Sequence, residues 1–261
     1  MDDFSLFYAW QSDTPAKIGR YLIRDAAKCA VSRLGKDVTV EESPRLDSDT
    51  QNTPGTPDIA STIFDKIDSC ALMLADVTFV GSTSERDGKS KMLPNPNVLL
   101  ELGYGAASVG WDRVILVMNT AYGSPDNLIF DLRNRRFPLT FELSETGKDA
   151  VKEQADKLSK SIEFAIRAGM QAEHAAVDRI IGKLDIGCFQ WMEDAGKQED
   201  FHPPQRRKAG EILGNLSLDN SLIRLLELGV IRCTVKHEGK LYGYYWTYLG
   251  KLVLRKLGLG K

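Results

Sequence analysis

The sequence CALMLADV, residues 70–77, decides the fold class, because its six consecutive apolar residues before Asp76 are typical of a strand buried on both faces of a parallel sheet. Similar short apolar runs predict four further strands, at residues 4–10, 37–42, 113–118 and 137–143. Apolar residues at helical spacing predict helices over residues 18–34, 57–67 and 98–109. Polar stretches at residues 44–56 and 81–91 indicate loops.

Strands that alternate with helices favour right-handed crossover connections and a parallel sheet with helices on both faces. We therefore predict an α/β domain with a flavodoxin-like fold over residues 1–145.

The remainder of the chain has a different pattern. A charged amphipathic helix at residues 147–168 predicts a linking helix, which we place within residues 146–171. Further helices are predicted at residues 175–195, 207–215 and 218–228, followed by a hairpin of residues 233–237 and 242–248 and a last helix at residues 249–257 that Thr247 caps. Helices, a two-stranded ribbon and a final helix predict a small α+β winged-helix-like domain over residues 172–261.

Composition narrows the class of protein. The 261 residues are 43% hydrophobic and 27% charged, which excludes a disordered chain, a collagen-like repeat and a coiled coil. No window approaches the roughly 18 consecutive apolar residues of a membrane span, and the acidic start predicts no secretory signal. The four cysteines lie far apart without a CxxC pair, which indicates reduced thiols and no zinc site. We expect a cytoplasmic protein that binds neither a membrane nor a metal.

Charge is distributed unevenly along the chain. Residues 201–261 contain eleven Lys and Arg against four Asp and Glu, a net charge of +7. Since the whole chain has a net charge of −2, the first 200 residues have a net charge of −9. This basic segment indicates a nucleic acid or a nucleotide-bearing signal as a partner of the second domain, through Arg206, Arg207, Lys208, Lys236 and Lys240. The alternative is a protein-interaction module whose lysines are merely solvated.

Polar side chains follow the predicted strands of the first domain. They are Trp10, Gln11, Ser12 and Asp13 after the first strand, Arg45, Asp47 and Asp49 after the second, Asp76 and Thr78 after the third, and Asn95, Pro96 and Asn97 at the start of the next helix. Ligands of open α/β sheets bind beyond the carboxyl ends of the strands. The sequence therefore predicts a binding site at this edge.

Glu101 is the strongest candidate for a catalytic residue. Its neighbours in VLLELGY, residues 98–104, are all apolar, and a lone carboxylate in such a helix is either paired structurally or held for function. It lies near the helix N-terminus, where the dipole favours the ionised form. An ionised carboxylate can stabilise the oxocarbenium ion that forms when a glycosidic bond breaks. A nicotinamide group leaves as a neutral molecule, so one carboxylate suffices. The alternative is a buried Glu bonded to Arg or to backbone.

Four segments resemble a bacterial Toll/interleukin-1 receptor (TIR) domain, and most closely the branch found in antiphage defence effectors. They are FYAWQSD at residues 7–13, GTPDI at 55–59, ADVT at 75–78 and PNPNVLLELGY at 94–104. The resemblance covers about residues 1–145, and NPNVLLELG is its most specific part.

The resemblance implies that Glu101 cleaves NAD at the bond between nicotinamide and ribose, as a hydrolase or a cyclase. NAD is then a substrate, and no cofactor is expected. The resemblance also implies that self-association of TIR domains completes the active site, in antiviral defence or signalling. The substrate-binding residues that we expect are Trp10, Ser12, Asp13, Asp47, Pro57, Ile59, Asp76, Asn95 and Asn97, with Gly55 in the loop before the second helix.

Two other functions remain open. Nucleoside 2-deoxyribosyltransferases share this topology, the Asp-Val-Thr strand end and a Glu-Leu-Gly helix, and they also cleave N-glycosidic bonds with a glutamate. Many TIR domains are scaffolds that signal by assembly alone. The glycines of GYGAAS, residues 103–108, imitate a dinucleotide motif but lie within a helix, so we interpret them as helix-packing contacts.

Overall fold

The structure is a computed structural model that describes residues 4–37, 40, 44–48, 58–84, 90–135, 137–144, 147–198, 200–201, 212–235 and 242–260. The chain divides into two compact units, Met1–Met170 and Gln171–Lys261. None of the described helices combines the length and apolar composition that a bilayer crossing requires.

The first unit alternates strands and helices. In chain order they are β1 (Ser5–Ala9), α1 (Arg20–Leu34), β2 (Arg45–Asp47), α2 (Ile59–Ser69), β3 (Leu72–Asp76), β4 (Phe79–Ser82), β5 (Met92–Pro94), α3 (Pro96–Ser108), β6 (Val114–Asn119), α4 (Phe130–Arg133), β7 (Leu139–Phe141) and α5 (Lys148–Ile181). Five strands form a sheet in the order β2-β1-β3-β6-β7.

All neighbours in this sheet are parallel, and β1 lies beside β3 with Leu6 opposite Leu72 and Ala9 opposite Ala75. Every residue of β1 and β3 is buried, as expected for central strands covered by helices. The predicted parallel sheet flanked by helices is confirmed, and its strand order is consistent with a flavodoxin-like fold.

Two parts of the first unit differ from the prediction. The strand that pairs with β1 is Arg45–Asp47 rather than residues 37–42, of which 38–39 and 41–42 lie outside the described residues. An edge strand of three half-exposed residues needs no apolar run, so the pattern does not reveal it. In addition, β4 and β5 form an antiparallel hairpin at both ends of the predicted loop.

Side-chain caps and close approaches fix α2 and α3. Asp58 accepts a hydrogen bond from the backbone N–H of Ala60 at 3.1 Å and so caps α2. A Cβ atom on Gly105 of α3 would collide with the side chain of Met73, so this glycine is the predicted packing contact. Gly103 has open space around its Cβ position and serves no such purpose.

Helix α5 is longer than predicted. It continues past residue 168 to Ile181 without a break. Gly169 lies inside this helix. It lets α5 approach β3, because a Cβ atom at this position would lie 2.8 Å from a methyl carbon of Leu72. The predicted helix of residues 175–195 is interrupted instead at Gly182, and a new helix begins after Asp185, whose side chain caps it.

The second unit contains α6 (Ile186–Ala195), β8 (Asp200–Phe201), α7 (Ile212–Glu227), β9 (Ile231–Val235), β10 (Tyr242–Trp246) and α8 (Tyr248–Lys256). Its strands form an antiparallel sheet in the order β8-β10-β9. The described part of α7 is one helix where two were predicted. Thr247 caps α8 as predicted, since its Oγ1 accepts a hydrogen bond from the N–H of Gly250 at 3.0 Å.

The core of the second unit is apolar and aromatic. Phe201 stacks on Trp246 and Tyr244, with ring centroids 5.0 and 5.7 Å apart. Val177 and Ile180 from the last turns of α5 join this core. The five basic residues singled out for partner binding, Arg206, Arg207, Lys208, Lys236 and Lys240, lie outside the described residues.

Candidate active site

Gln11 organises the loop that follows β1. It is 2% exposed, and its Nε2 donates hydrogen bonds to Thr14 Oγ1 at 2.7 Å and to Asp76 Oδ2 at 3.3 Å. Its Oε1 accepts hydrogen bonds from the backbone N–H groups of Asp13 and Thr14. One buried amide thus folds the loop and fastens it to the end of β3. Gln11 stands in the predicted polar cluster but was not among the expected substrate contacts.

Asp76 lies at the end of β3 and is completely buried. Its Oδ1 accepts the backbone N–H of Thr78 at 3.0 Å, in addition to the bond from Gln11. Burial raises the pKa of the Asp76 carboxyl, and the bonds from Thr78 and Gln11 oppose this rise. A side chain without exposed surface cannot contact a ligand from solvent. In this structure Asp76 therefore positions the loop and does not line an open site.

Asn95 connects the loop after β1 to the start of α3. Its Nδ2 donates a hydrogen bond of 2.7 Å to Asp13 Oδ2. Its Oδ1 accepts the backbone N–H groups of Asn97 at 2.8 Å and Val98 at 3.1 Å, which caps the helix. The structure thus brings Asp13 and Asn95 together across 82 positions of sequence.

Glu101 lies on the side of α3 that faces α2. Tyr104 Oη donates a hydrogen bond of 2.8 Å to Asp68 of α2, and Ser108 also bonds to Asp68. The rings of Tyr104 and Phe64 pack with their centroids 4.4 Å apart. Glu101 lies three positions before Tyr104 and seven before Ser108, so it shares their helical face and lies one turn closer than Tyr104 to the amino end of α3. It therefore stands beside α2, toward the carboxyl edge of the sheet.

The Glu101 carboxylate is partly buried and receives no hydrogen bond or ion pair from any residue that the structure describes. Burial raises its pKa from 4.5 to about 7. The position near the helix N-terminus favours the ionised form and burial opposes it, so that both protonation states are populated near pH 7. The alternative of a structural glutamate bonded to Arg has no counterpart among the described residues.

Three expected contacts lie on the exposed side of this edge. Trp10 is half-buried, with the guanidinium carbon of Arg20 4.2 Å from its ring centroid. Ser12 is exposed, and so is Asn97 in the first turn of α3. These three side chains are accessible to a ligand in solution.

The remaining expected contacts have different surroundings. Asp47 binds Lys66 of α2 at 2.8 Å, an ion pair that joins β2 to α2. Ile59 is 63% exposed in the first turn of α2. Pro57 and Gly55, expected in the loop before α2, lie outside the described residues.

Asn119, at the end of β6, was not expected to have a role at this edge. Its Nδ2 donates to the backbone carbonyls of Leu143 at 2.8 Å and Ile18 at 3.2 Å. Its Oδ1 accepts the N–H groups of Leu143 and Ala121. Its position directly after an apolar strand is the same signal that singled out Asp76.

Within the described ranges, no group of three or more His, Cys, Asp and Glu side chains is arranged to hold a metal ion.

No protein-family model matches the chain, and no curated protein matches it either.

Proposed function

We propose that the first unit is a TIR-like NAD nucleosidase, a hydrolase or cyclase that releases nicotinamide in antiphage defence or signalling, with Glu101 as its catalytic residue. One observation carries the proposal. Glu101 is a partly buried carboxylate that no described residue neutralises, beside α2 and toward the carboxyl edge of a parallel sheet. Such an edge is where open α/β folds bind ligands.

The chemistry suits a single carboxylate. Positive charge moves from the nicotinamide ring to the ribose as the N-glycosidic bond breaks, and the leaving group departs as a neutral molecule. A carboxylate with few water contacts stabilises this charge more strongly than one in bulk water. A cationic nicotinamide ring that enters the site lowers the pKa of Glu101 again, so that binding itself ionises the group.

The neighbouring polar residues support this role by holding the loops in place. Gln11 and Asp76 fix the loop after β1, and the bond between Asn95 and Asp13 joins that loop to α3. The exposed side chains Ser12 and Ile59 are then available to the substrate.

The second unit is proposed to be a winged-helix-like module. Three helices and a small antiparallel sheet support this reading. Its partner is proposed to be a nucleic acid or a nucleotide signal, because residues 201–261 are basic. Fluorescence anisotropy with labelled duplex DNA at two salt concentrations tests this, since binding through phosphates weakens as salt rises.

The decisive experiment incubates the purified protein with NAD at low and high protein concentration and follows nicotinamide release by chromatography. The concentration series is needed because the TIR resemblance implies activation by self-association. The Glu101→Gln variant should release nicotinamide about 10²- to 10³-fold more slowly than wild type. Glu153→Gln, the same change at an exposed glutamate of α5 that pairs with Lys157, is the matched control and should remain active.

A parallel incubation with deoxynucleosides and free bases separates the other functions. If the protein exchanges the bases of deoxynucleosides and this exchange requires Glu101, the protein is a deoxyribosyltransferase and not an NAD nucleosidase. Absence of both reactions in assembled protein would leave a scaffold.

A further inference from the structure

Two aromatic rings hold an arginine at the start of α1. The Arg20 guanidinium carbon lies 4.2 Å from the ring centroid of Trp10 and 4.8 Å from that of Tyr21. Its Nη2 also donates a hydrogen bond of 3.0 Å to Tyr21 Oη. Arg24 lies over Tyr21 as well, at 4.7 Å, but Asp25 pairs with it at 3.0 Å.

Arg20 and Arg24 therefore differ in one respect. Arg24 has a carboxylate partner, whereas Arg20 forms no ion pair with any acidic residue in the described ranges. A guanidinium group has five N–H donors around its edge, and of these one from Nη2 binds Tyr21, so that the other donors are available to a ligand. Contacts with Trp10 and Tyr21 also restrict the rotamers of Arg20, so that less entropy is lost when it binds an anion.

The position of Arg20 relates it to the candidate site. Trp10 directly precedes Gln11, which bonds to the end of β3, and the same loop contains Asp13, which bonds to Asn95 of α3. The strand order reverses direction between β1 and β3, and flavodoxin-like sheets bind their ligands at that point. The side chain that contacts Trp10 therefore belongs to the edge that holds the α3 amino end.

We propose that Arg20 binds the diphosphate group of a nucleotide substrate, with Trp10 as the platform that orients its guanidinium. The identity of the substrate rests on the proposed function, but the diphosphate chemistry rests on Arg20 itself. A planar guanidinium forms two parallel hydrogen bonds with neighbouring phosphate oxygens, which an ammonium group cannot do. The ring face of Trp10 that Arg20 covers is consequently not available to stack on a base.

Isothermal titration calorimetry with ADP and with adenosine tests the proposal without requiring any turnover. Arg20→Gln should weaken ADP binding about 10- to 100-fold, as expected for a lost charge-assisted hydrogen bond, and leave adenosine binding unchanged. The matched control Arg24→Gln should alter ADP affinity less than about threefold, because Asp25 already pairs with that arginine.

Three results would overturn the proposal: wild-type protein that binds no ADP at millimolar concentration, undiminished ADP affinity in Arg20→Gln, or an equal loss in Arg24→Gln. Arg20→Lys keeps the charge without the planar edge, and it decides the matter if Arg20→Gln fails to fold. An affinity about three- to tenfold lower than wild type supports a bidentate contact, and an unchanged affinity contradicts it.

Turnover separates this proposal from the proposed function. With NAD, Arg20→Gln should raise KM and change kcat little, and nicotinamide riboside, which lacks the diphosphate, should show no difference between variant and wild type. A protein that loses ADP affinity with Arg20→Gln but releases no nicotinamide would refute the nucleosidase and leave the diphosphate site standing. A protein that releases nicotinamide but binds ADP equally well with and without Arg20 would refute the diphosphate site and leave the nucleosidase standing.

Discussion

The two units place their buried polar side chains differently. In the first unit most of those that the structure describes gather at the carboxyl edge of the parallel sheet: Gln11, Thr14, Asp76, Thr78, Asn95 and Asn119. In the second unit the described ones are Glu173 and Ser221, and Ser221 bonds to Asp185, the residue that caps α6. Aromatic and aliphatic side chains make up the rest of that core.

This difference favours the first unit as the place of the proposed site. Burying a polar group costs free energy unless its hydrogen bonds are satisfied. A buried polar cluster is therefore stable only if every member finds a hydrogen-bond partner. The described core of the second unit is closed mainly by apolar burial. The first unit gives one edge of its sheet a definite, hydrogen-bonded shape, and that edge is where Glu101 and Arg20 belong.

The largest effect on stability should come from the apolar core of the second unit. Phe201→Ala should lower the free energy of unfolding by about 3–5 kcal/mol, because it leaves a cavity beside Trp246 and Tyr244. Urea denaturation measures this loss. Phe164→Ala, at an exposed phenylalanine of α5, is the control and should cost less than about 0.5 kcal/mol. Equal losses in the two variants would contradict an apolar core around Phe201.

Glu101→Gln should affect activity rather than stability. Loss of one charge-stabilising group should lower kcat for NAD about 10²- to 10³-fold, with a smaller change in KM, because the charge acts mainly in the transition state. The melting temperature should stay at or above that of wild type, since a carboxylate that no described residue pairs with is replaced by a neutral amide. A variant that melts early, or that keeps full activity, would remove Glu101 from the mechanism.

Asn95 offers a test of the polar edge itself. Asn95→Ala removes the cap of α3 and the bond to Asp13, and it should lower the free energy of unfolding by about 1–2 kcal/mol. Asn95→Ser retains a capping oxygen and loses the bond to Asp13, so its loss should be about half as large. If activity falls equally in both variants, the link to Asp13 is what matters for the site. A serine variant as active as wild type would assign Asn95 to capping alone.

The pH dependence of Glu101 gives the smallest expected effect, with opposite signs for stability and activity. The folded protein holds a proton on Glu101 up to about pH 7, whereas the unfolded chain releases it near 4.5. The free energy of unfolding therefore falls as pH rises through this window, by about 1 kcal/mol once solvent screening of a partly exposed group is included. The kcat/KM for NAD should rise over the same range, because only the ionised form stabilises the oxocarbenium ion.

The stability part of this prediction has its own control. Chemical denaturation at pH 5 and pH 7.5 should show the difference in wild type, and the difference should shrink in Glu101→Gln. A slope that is identical in wild type and variant would show that other groups cause it.

The sequence predicts those features of the fold that depend on local pattern. A run of six apolar residues, 70–75, located β3, and an acidic residue among apolar neighbours singled out Glu101. A glycine, in contrast, can end a helix or allow a close contact within it, and local sequence pattern does not distinguish these two roles. The predicted helix stopped at residue 168, but Gly169 lies within α5 at the point where this helix approaches Leu72, a contact between residues 97 positions apart.

The polar edge was only partly predictable for the same reason. The amides of Gln11 and Asn119 acquire their roles from partners 65 and 101 positions away, respectively, and no local pattern distinguishes such an amide from one in solvent. Their positions after apolar strands indicated the right edge of the sheet. Only the structure shows that Gln11 and Asp76 are internal supports and that Ser12 and Asn97 are accessible.

The continuous helix α5 also determines how this chain can be divided for expression. A cut between residues 170 and 171 falls inside the helix, and it leaves four backbone carbonyls and four N–H groups without helical partners in the two fragments. A first fragment extended to Ile181 avoids this but exposes Val177 and Ile180, which belong to the other core. Because the second fragment needs Val177 and Ile180 for its own core, it has to begin at Gln171 in spite of the broken helix. A serine or aspartate added before Gln171 would cap the new helix N-terminus.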